Sequence, residues 1–355
     1  MTDWRDEPLP GKGETAGSTG RIVASSSPEL QAWVVRRTAL LYSGGADPTL
    51  DRPAYVRAAS SLVRIGKYLA VIQDDANFVA LMDERDQRVH PVTLPAGLDG
   101  KRQFDDLRGN KALKLDLEAC TVVPAQGGDV LVAFGSGSLP LREQILVVHG
   151  IERGSPSVAL YTASRLYAQL HAAKEFSGSE LNLEGAVWMD GRIRLFNRGN
   201  GAPQAGLLPV DATCELEWDV LWAHLQNPDS TPPPPVNRIT QYTLGALGGM
   251  RLTFTDAALG PGGTLFFSAT AEDSPDAVRD GPVAGSALGI LVAPDRAEWA
   301  VLRNTDGTVF DGKVEGLLVG SPTPHGAYIV VDRDDPTQPS ELCEVELAGA
   351  WYPDE

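Results

Sequence analysis

Five charged side chains recur at one point of a repeating pattern: Arg57, Glu118, Glu184, Asp256 and Glu315. Four carboxylates and one guanidinium gathered in one place cannot ignore each other. Like charges a few ångströms apart raise each other's pKa unless a cation or N–H donors intervene. A hard, oxygen-seeking ion such as Ca²⁺ or Mg²⁺, held by Glu118, Glu184, Asp256 and Glu315, is one answer to that repulsion. A second is neutralisation by Arg57 and backbone N–H groups, which leaves a raised carboxyl for general acid–base work. A third is chemically silent, a wet channel whose side chains hold ordered water.

Polar loops follow the same spacing: residues 73–77, 135–142, 197–200, 268–273 and 332–335. Asp74, Arg142, Asn197, Arg198, Asp332 and Arg333 in these loops, together with Arg57, are the expected contacts to a small polar ligand. Arginine forks suit its anionic part. The run Gly135-Ser136-Gly137-Ser138, followed by Arg142, offers backbone N–H groups to an anion. It lacks the G-x-S-x-G spacing of a nucleophile elbow. The five histidines are scattered, with no H-E-x-x-H, and neither a P-loop nor a dinucleotide fingerprint occurs.

The elements that must position these residues come from an internal repeat. A strand of small and apolar residues, a turn, a second apolar strand and a polar loop recur five times. The copies begin near Val56, Leu117, Leu183, Thr255 and Val314. Each step has room for four short strands, which is the size of a propeller blade. The last copy is one strand short, ending near Leu347, whereas the run Thr38–Tyr42 has no blade of its own. Adding that run to the last blade removes two exposed edges. The expected fold is therefore all-β, a β-propeller of five blades (six as the alternative) over residues 27–355. Residues 1–26 read as a flexible polar tail. The first strand of each blade lines the axis, so the five aligned charges face one mouth. A helix is expected over Ala163–Phe176 with Ser164 as N-cap, and the proline-rich 227–236 stretch reads as an extended linker.

The chain has 355 residues and a formal charge of −17. That charge opposes binding to nucleic acid or to an anionic membrane face, and no apolar run is long enough to span a bilayer. It suits solubility, a metal or a cationic ligand. The N-terminal residues lack a basic start and an apolar stretch, unlike a secretory signal. Three cysteines without C-x-x-C spacing point to free buried thiols in a reducing, cytoplasmic setting.

The segments Lys114-Leu115-Asp116-Leu117-Glu118-Ala119, Leu181-Asn182-Leu183-Glu184-Gly185-Ala186 and Lys313-Val314-Glu315-Gly316-Leu317 carry a family resemblance. They resemble the D-x-E-[AG] first-strand motifs of the phytase-like esterase and SdiA-regulated families of bacterial propellers. The resemblance implies the propeller fold and, for function, hydrolysis of a phosphate or other ester with Ca²⁺. The first copy has Arg57 and the fourth Asp256 where the motif has Glu. The combined expectation is a metal-dependent hydrolase of a small polar ester or phosphoester. Glu118, Glu184 and Glu315 would be catalytic, and the ligand would bind in the channel mouth. The alternative is a non-catalytic scaffold binding a small ligand or a protein on the same face.

Overall fold

Alternating apolar and small residues make strands here, and the Gly- and Asp-rich stretches between them make turns. The computed structural model describes residues 20–352 apart from 275, 277, 278, 280, 293 and 294. Three strands precede the first repeat: β1 (Gly20–Val23), β2 (Ser25–Ser26) and β3 (Leu30–Ala39). The first repeat forms β4 (Ala59–Ile65), β5 (Tyr68–Gln73), β6 (Phe78–Asp83) and β7 (Val89–Thr93). The second forms β8 (Leu117–Val123), β9 (Val130–Gly135), β10 (Gln144–His149) and β11 (Ser157–Thr162). Helices α1 (Ser164–Ala172) and α2 (Lys174–Ser177) lead into β12 (Leu183–Met189), β13 (Arg192–Asn197) and β14 (Asp211–Glu217). Helix α3 (Trp218–Gln226) separates these from β15 (Asn237–Thr243). The short β16 (Ala246–Leu247) precedes β17 (Met250–Leu259), β18 (Leu265–Glu272), β19 (Val283–Val292) and β20 (Arg296–Asn304). The last repeat holds β21 (Lys313–Val319), β22 (Gly326–Asp332) and β23 (Glu341–Gly349).

The chain is all-β in class, and within each repeat neighbouring strands pair antiparallel in chain order. The first strands touch in succession: β4 lies against β8, β8 against β12, β12 against β17, β17 against β21, and β21 against β4. Buried apolar clusters sit between the sheets rather than at one centre. Ile72 and Val79 meet Leu131 and Leu146 between the first and second repeats. Tyr328, Val330 and Leu342 meet Leu62, Leu69 and Val71 between the last and the first.

β3 pairs antiparallel with β23, from Leu30 opposite Gly349 to Ala39 opposite Glu341. The strand begins at Leu30 rather than Thr38, because Leu30, Ala32 and Val34 alternate inward while Gln31 and Val35 face out. Leu40–Tyr42 leaves the strand, and Leu40 and Tyr42 pack beside Val56 and Val89. β3 also runs parallel to β20 over Ala32–Val34, so it joins the outer edges of two repeats.

Three further expectations change. The expected tail is shorter at its inner end, because β1 pairs parallel with β15 and β2 with β20. Both cover outer strands whose N–H and C=O groups would otherwise face water. Residues 1–19 of that tail lie outside the described residues. The single helix expected over Ala163–Phe176 is broken at Ala173 (ψ 79°), and Ala163, not Ser164, stands at its cap. The break turns Phe176 into the same buried cluster as Leu166 and Leu170. Helix α3 was not anticipated, although Leu221 and Leu225 have helical spacing and are buried. All three cysteines are free and buried. Among the described residues no helix is long and apolar enough to cross a membrane.

The β3–β23 junction depends on Gly349. Its φ is +96°, and a Cβ there would lie 1.8 Å from the Glu29 carbonyl oxygen. We expect Gly349→Ala to cost at least about 1–3 kcal/mol in denaturant unfolding. Gly307 has a similar φ of +86° but open space around it. Gly307→Ala should cost less, and equal losses would argue against the clash.

Candidate functional site

The site starts from crowding at the axis. In each repeat the pairing of the first and second strands shifts register by one residue. The skipped residues are Ser60, Glu118, Glu184, Thr255 and Glu315. Such a bulge re-aims the extra side chain. The next residue of each strand packs close to its neighbours: Ser61, Ala119, Gly185, Asp256 and Gly316. A Cβ on Gly316 would lie 2.9 Å from Ser61 Cα, and one on Gly185 would lie 3.1 Å from the Ala257 nitrogen. At these positions the close approach demands a small residue, as found after Glu184 and Glu315.

Two of the five expected ring positions are therefore corrected. Arg57 is replaced at the bulge by Ser60, whose Oγ donates to the Leu117 carbonyl at 2.6 Å. Asp256 belongs one residue deeper, and Thr255 occupies the bulge, donating to Ser268 Oγ at 3.0 Å. Asp256 Oδ2 accepts from Ser61 Oγ (3.1 Å) and from the Leu317 N–H (2.8 Å), and it does not line the cavity. Glu118, Glu184 and Glu315 do.

The cavity has about 50 Å³ of free space, enough for a few waters. Its walls alternate in charge. Lys114 Nζ stands 2.5 Å from Asp74 and 2.6 Å from Asp116. Arg142 stands 2.8 Å from Asp116 and donates to Ser138 Oγ at 2.8 Å. Arg198 pairs with Glu184 at 3.2 Å and also with Glu272. Lys313 is 3.0 Å from Glu315 and 3.6 Å from Asp334. Asn182 Nδ2 donates to Glu184 at 2.7 Å. Three side chains have polar atoms left over. Among the described residues, Glu118 makes no hydrogen bond or ion pair. Arg142 Nε and Glu315 Oε2 are buried without a hydrogen-bond partner.

Burial and this crowding set the protonation. Burial and the Asp74, Asp116 and Glu184 carboxylates push Glu118 well above the usual range. Burial lifts Glu184 to about 8 against the pull of Arg198, with Glu315 adding to the rise. Burial lifts Glu315 to about 7 against Lys313 and Arg198. Burial also opposes ionisation of Asp116, but Lys114 and Arg142 outweigh it and hold that carboxyl below its usual range.

Of the other expected ligand contacts, Asp74, Arg142, Arg198 and Asp332 line the cavity, and three do not. Arg57 is spent on Asp75 and Asp105 (3.1 Å) in a neighbouring space. Asn197 is structural: it accepts from the Asn182 N–H and donates to the Val210 carbonyl, both at 2.8 Å. Arg333 faces out, 2.6 Å from Glu341. The 135–138 loop does not present its amides to an anion. Ser136 N, Gly137 N and Ser138 N already donate to the Asp116 carbonyl, the Arg142 carbonyl and Ser136 Oγ. Lys114, Asp116, Asn182 and Lys313 were missed. Asp116, Asn182 and Lys313 all stand two residues before a bulged glutamate, a usable signal.

The expected metal set of Glu118, Glu184, Asp256 and Glu315 does not come together. Asp256 is sequestered, and Glu184 and Glu315 already hold Arg198 and Lys313. Another group does. Oxygens of Asp74, Asp116 and Glu118 lie within 4.8 Å of one another. Their hard donors suit Ca²⁺ or Mg²⁺, and an ion there would replace the Lys114 ammonium.

Residues 55–347 match the sequence profile of a family of unknown function, DUF6929. The chain belongs to that family. No curated protein matches it. Among solved structures, a protein of unknown function from Dyadobacter fermentans is similar (12% identity, 91% of this chain and 100% of that one, TM-score 0.44). A luciferin-regenerating enzyme (9% identity, 82% and 80%, TM-score 0.37) and a mannose phosphorylase from Leishmania mexicana (12% identity, 88% of each, TM-score 0.38) are also similar. All three scores are too low to carry an argument about chemistry.

The raised carboxyls fix the sign of a pH effect. Folded Glu184 and Glu315 retain protons that an unfolded chain releases near pH 4.5. Their stabilisation is full below about pH 4.5 and is lost as pH rises through about 7 and 8. Each contributes a slope of up to about 1.4 kcal/mol per pH unit in that window. Stability should therefore fall from pH 5 to 8.5 in denaturant titrations. Glu184→Gln should show a shallower fall, and an unchanged slope would contradict the assignment.

Proposed function

We propose that this protein is a five-bladed β-propeller, closed by β3 on its last blade, that hydrolyses an ester of a small polar molecule presented at the mouth of its central cavity. The observation that carries this reading is the pair Glu184 and Glu315, buried carboxyls raised towards neutrality on one small polar cavity. A carboxyl whose pKa lies near the working pH serves as either acid or base. In the proposed step Glu315, whose side chain lines the cavity, takes a proton from water as the water oxygen bonds to the acyl carbon. The guanidinium of Arg142, on the same wall, donates to the developing oxyanion. The ester C–O bond then breaks, and protonated Glu184 gives its proton to the leaving alkoxide.

Phosphoester substrates lose support, because the buried cations are already paired with carboxylates. Glu315→Gln and Glu184→Gln should each lower turnover of p-nitrophenyl acetate by about 100-fold or more while the protein stays folded. Wild-type protein without esterase activity, or variants with unchanged turnover, would return the cavity to the binding-scaffold reading.

A metal-assisted version is favoured by the Asp74, Asp116 and Glu118 group. These three residues would hold a divalent ion, and the ion would supply an activated water. Under this version EDTA lowers both the melting temperature and the esterase rate, and Ca²⁺ restores them. If EDTA leaves both unchanged, acid–base hydrolysis by the protein's own residues stands alone.

A further inference from the structure

Asn200 stands between two spaces. It lines the inner cavity beside Asn182, Glu184 and Arg198. It also lines a groove of about 420 Å³ that it shares with Gly199, Gly201, Arg251 and Thr253. The residue is half-buried, so water has access to it. Of the eight asparagines in the chain, Asn200 is the one followed by glycine. That pairing has a chemical meaning. An asparagine side-chain amide is open to attack by the backbone nitrogen of the next residue, and a glycine leaves that nitrogen unobstructed by a Cβ.

The local structure leaves the reacting atoms free. β13 ends at Asn197 and β14 begins at Asp211, so Asn200 and Gly201 belong to neither strand. Among the described residues the Gly201 N–H makes no hydrogen bond. The Asn200 side chain makes one: Asn182 Nδ2 donates to Asn200 Oδ1 at 3.3 Å. A donor on that oxygen draws electrons from Cγ, the atom to be attacked. The flanks are pinned. The Gly199 N–H donates to Asp211 Oδ1 at 3.0 Å, and the Ala202 N–H donates to Glu180 Oε2 at 2.8 Å. The pair is thus held at its ends and unheld between them. Asn110 is the opposite case, since it accepts from the Asp105 N–H and donates to the Gln103 carbonyl.

We propose that Asn200 is a self-modification site, at which the cavity wall turns an amide into a carboxylate with water as the co-reactant. Hydroxide removes the Gly201 amide proton. The Gly201 nitrogen bonds to Asn200 Cγ, the Cγ–Nδ2 bond breaks, and Nδ2 leaves as ammonia after taking a proton from water. Water then opens the five-membered imide. Attack at Cγ gives aspartate, and attack at the main-chain carbonyl carbon gives isoaspartate, whose backbone is longer by one methylene. No electrons are gained or lost.

The product acts on the neighbouring acid. Asn182 Nδ2 donates both to Asn200 Oδ1 and to Glu184 Oε1 (2.7 Å), so one amide links the new carboxylate to Glu184. A second negative charge there makes Glu184 keep its proton to higher pH. The modification stands without the hydrolase reading, and only its effect on turnover rests on that reading.

Full-length protein is incubated in mildly acidic and in mildly alkaline buffer, then digested, and the peptide holding residue 200 is followed by mass and chromatography. We expect a mass gain of about 1 Da, divided between aspartyl and isoaspartyl peptides, with ammonia released and a rate that rises with pH. Asn110, and Asn237, which is exposed but precedes Arg238, should convert at least about tenfold more slowly. Asn200→Gln keeps the amide but cannot close a five-membered ring, and it should abolish conversion at this position. The same incubation in urea gives the rate for the unfolded chain. An Asn200 that stays intact in the folded protein while converting in urea, or that converts no faster than Asn237, overturns the proposal. Asn200→Asp should move the alkaline limb of the esterase pH profile upward, and an unmoved limb overturns the link to Glu184. If Asn200 converts while ester turnover is absent, the modification survives and the hydrolase reading falls.

Discussion

Close approach of the first strands at the axis is the constraint on which the rest of this protein depends. Ser61, Ala119, Gly185, Asp256 and Gly316 form one packed layer, and at Gly185 and Gly316 it has no room for even a Cβ. The register shift just before it gives a longer side chain another place to go. The bulge lifts Glu118, Glu184 and Glu315 out of the packed layer into the small space beside it. Burial then follows from the same geometry. A few waters' worth of room cannot solvate three carboxylates, so their pKa values rise.

Lysine and arginine near the bulges keep this arrangement from tearing itself apart. Lys114, Lys313 and Arg198 are buried themselves, and each touches two or more carboxylates. Buried ion pairs of this kind often contribute little net stability, because desolvation offsets the attraction. Their effect is to choose which carboxyls ionise. Asp116, held by two cations, stays charged, whereas Glu118, held by none, favours its proton. Chemical inequality among like residues is what an acid–base site requires.

Much of this was legible in the residues, and the errors have physical causes. The repeated strand pattern led to the strands of each repeat, to the shortfall of the last repeat and to an N-terminal strand on β23. The Glu-Ala and Glu-Gly pairs led to the three cavity glutamates. Arg57 and Asp256 were misplaced because matching by charge ignores the bulge. Arg57-Ala58 and Asp256-Ala257 imitate the Glu-Ala pair, and only the register shift picks out Ser60 and Thr255, which carry no charge to notice. Ion pairing was not legible, since Arg57 meets Asp75 and Asp105 only through the folding of a loop. Helix α3 begins as soon as β14 ends, and the strand-like alternation Cys214-Glu215-Leu216-Glu217-Trp218-Asp219-Val220 runs across the boundary and masks its helical spacing.

The placement of β3 has a consequence for the making of the protein. Leu30 faces Gly349 across the sheet, a separation of about 300 residues. At ordinary rates of synthesis β3 emerges roughly 15–60 s before its partner exists. During that interval the alternating face of Leu30, Ala32 and Val34 has no lasting partner in its own chain. β1 and β2 are also early, waiting on β15 and β20. The outer edges of the later repeats are thus sealed by strands made well before them. Each nascent molecule carries an unpaired strand until β20 and β23 arrive, the period in which a neighbour's β23 could capture it instead.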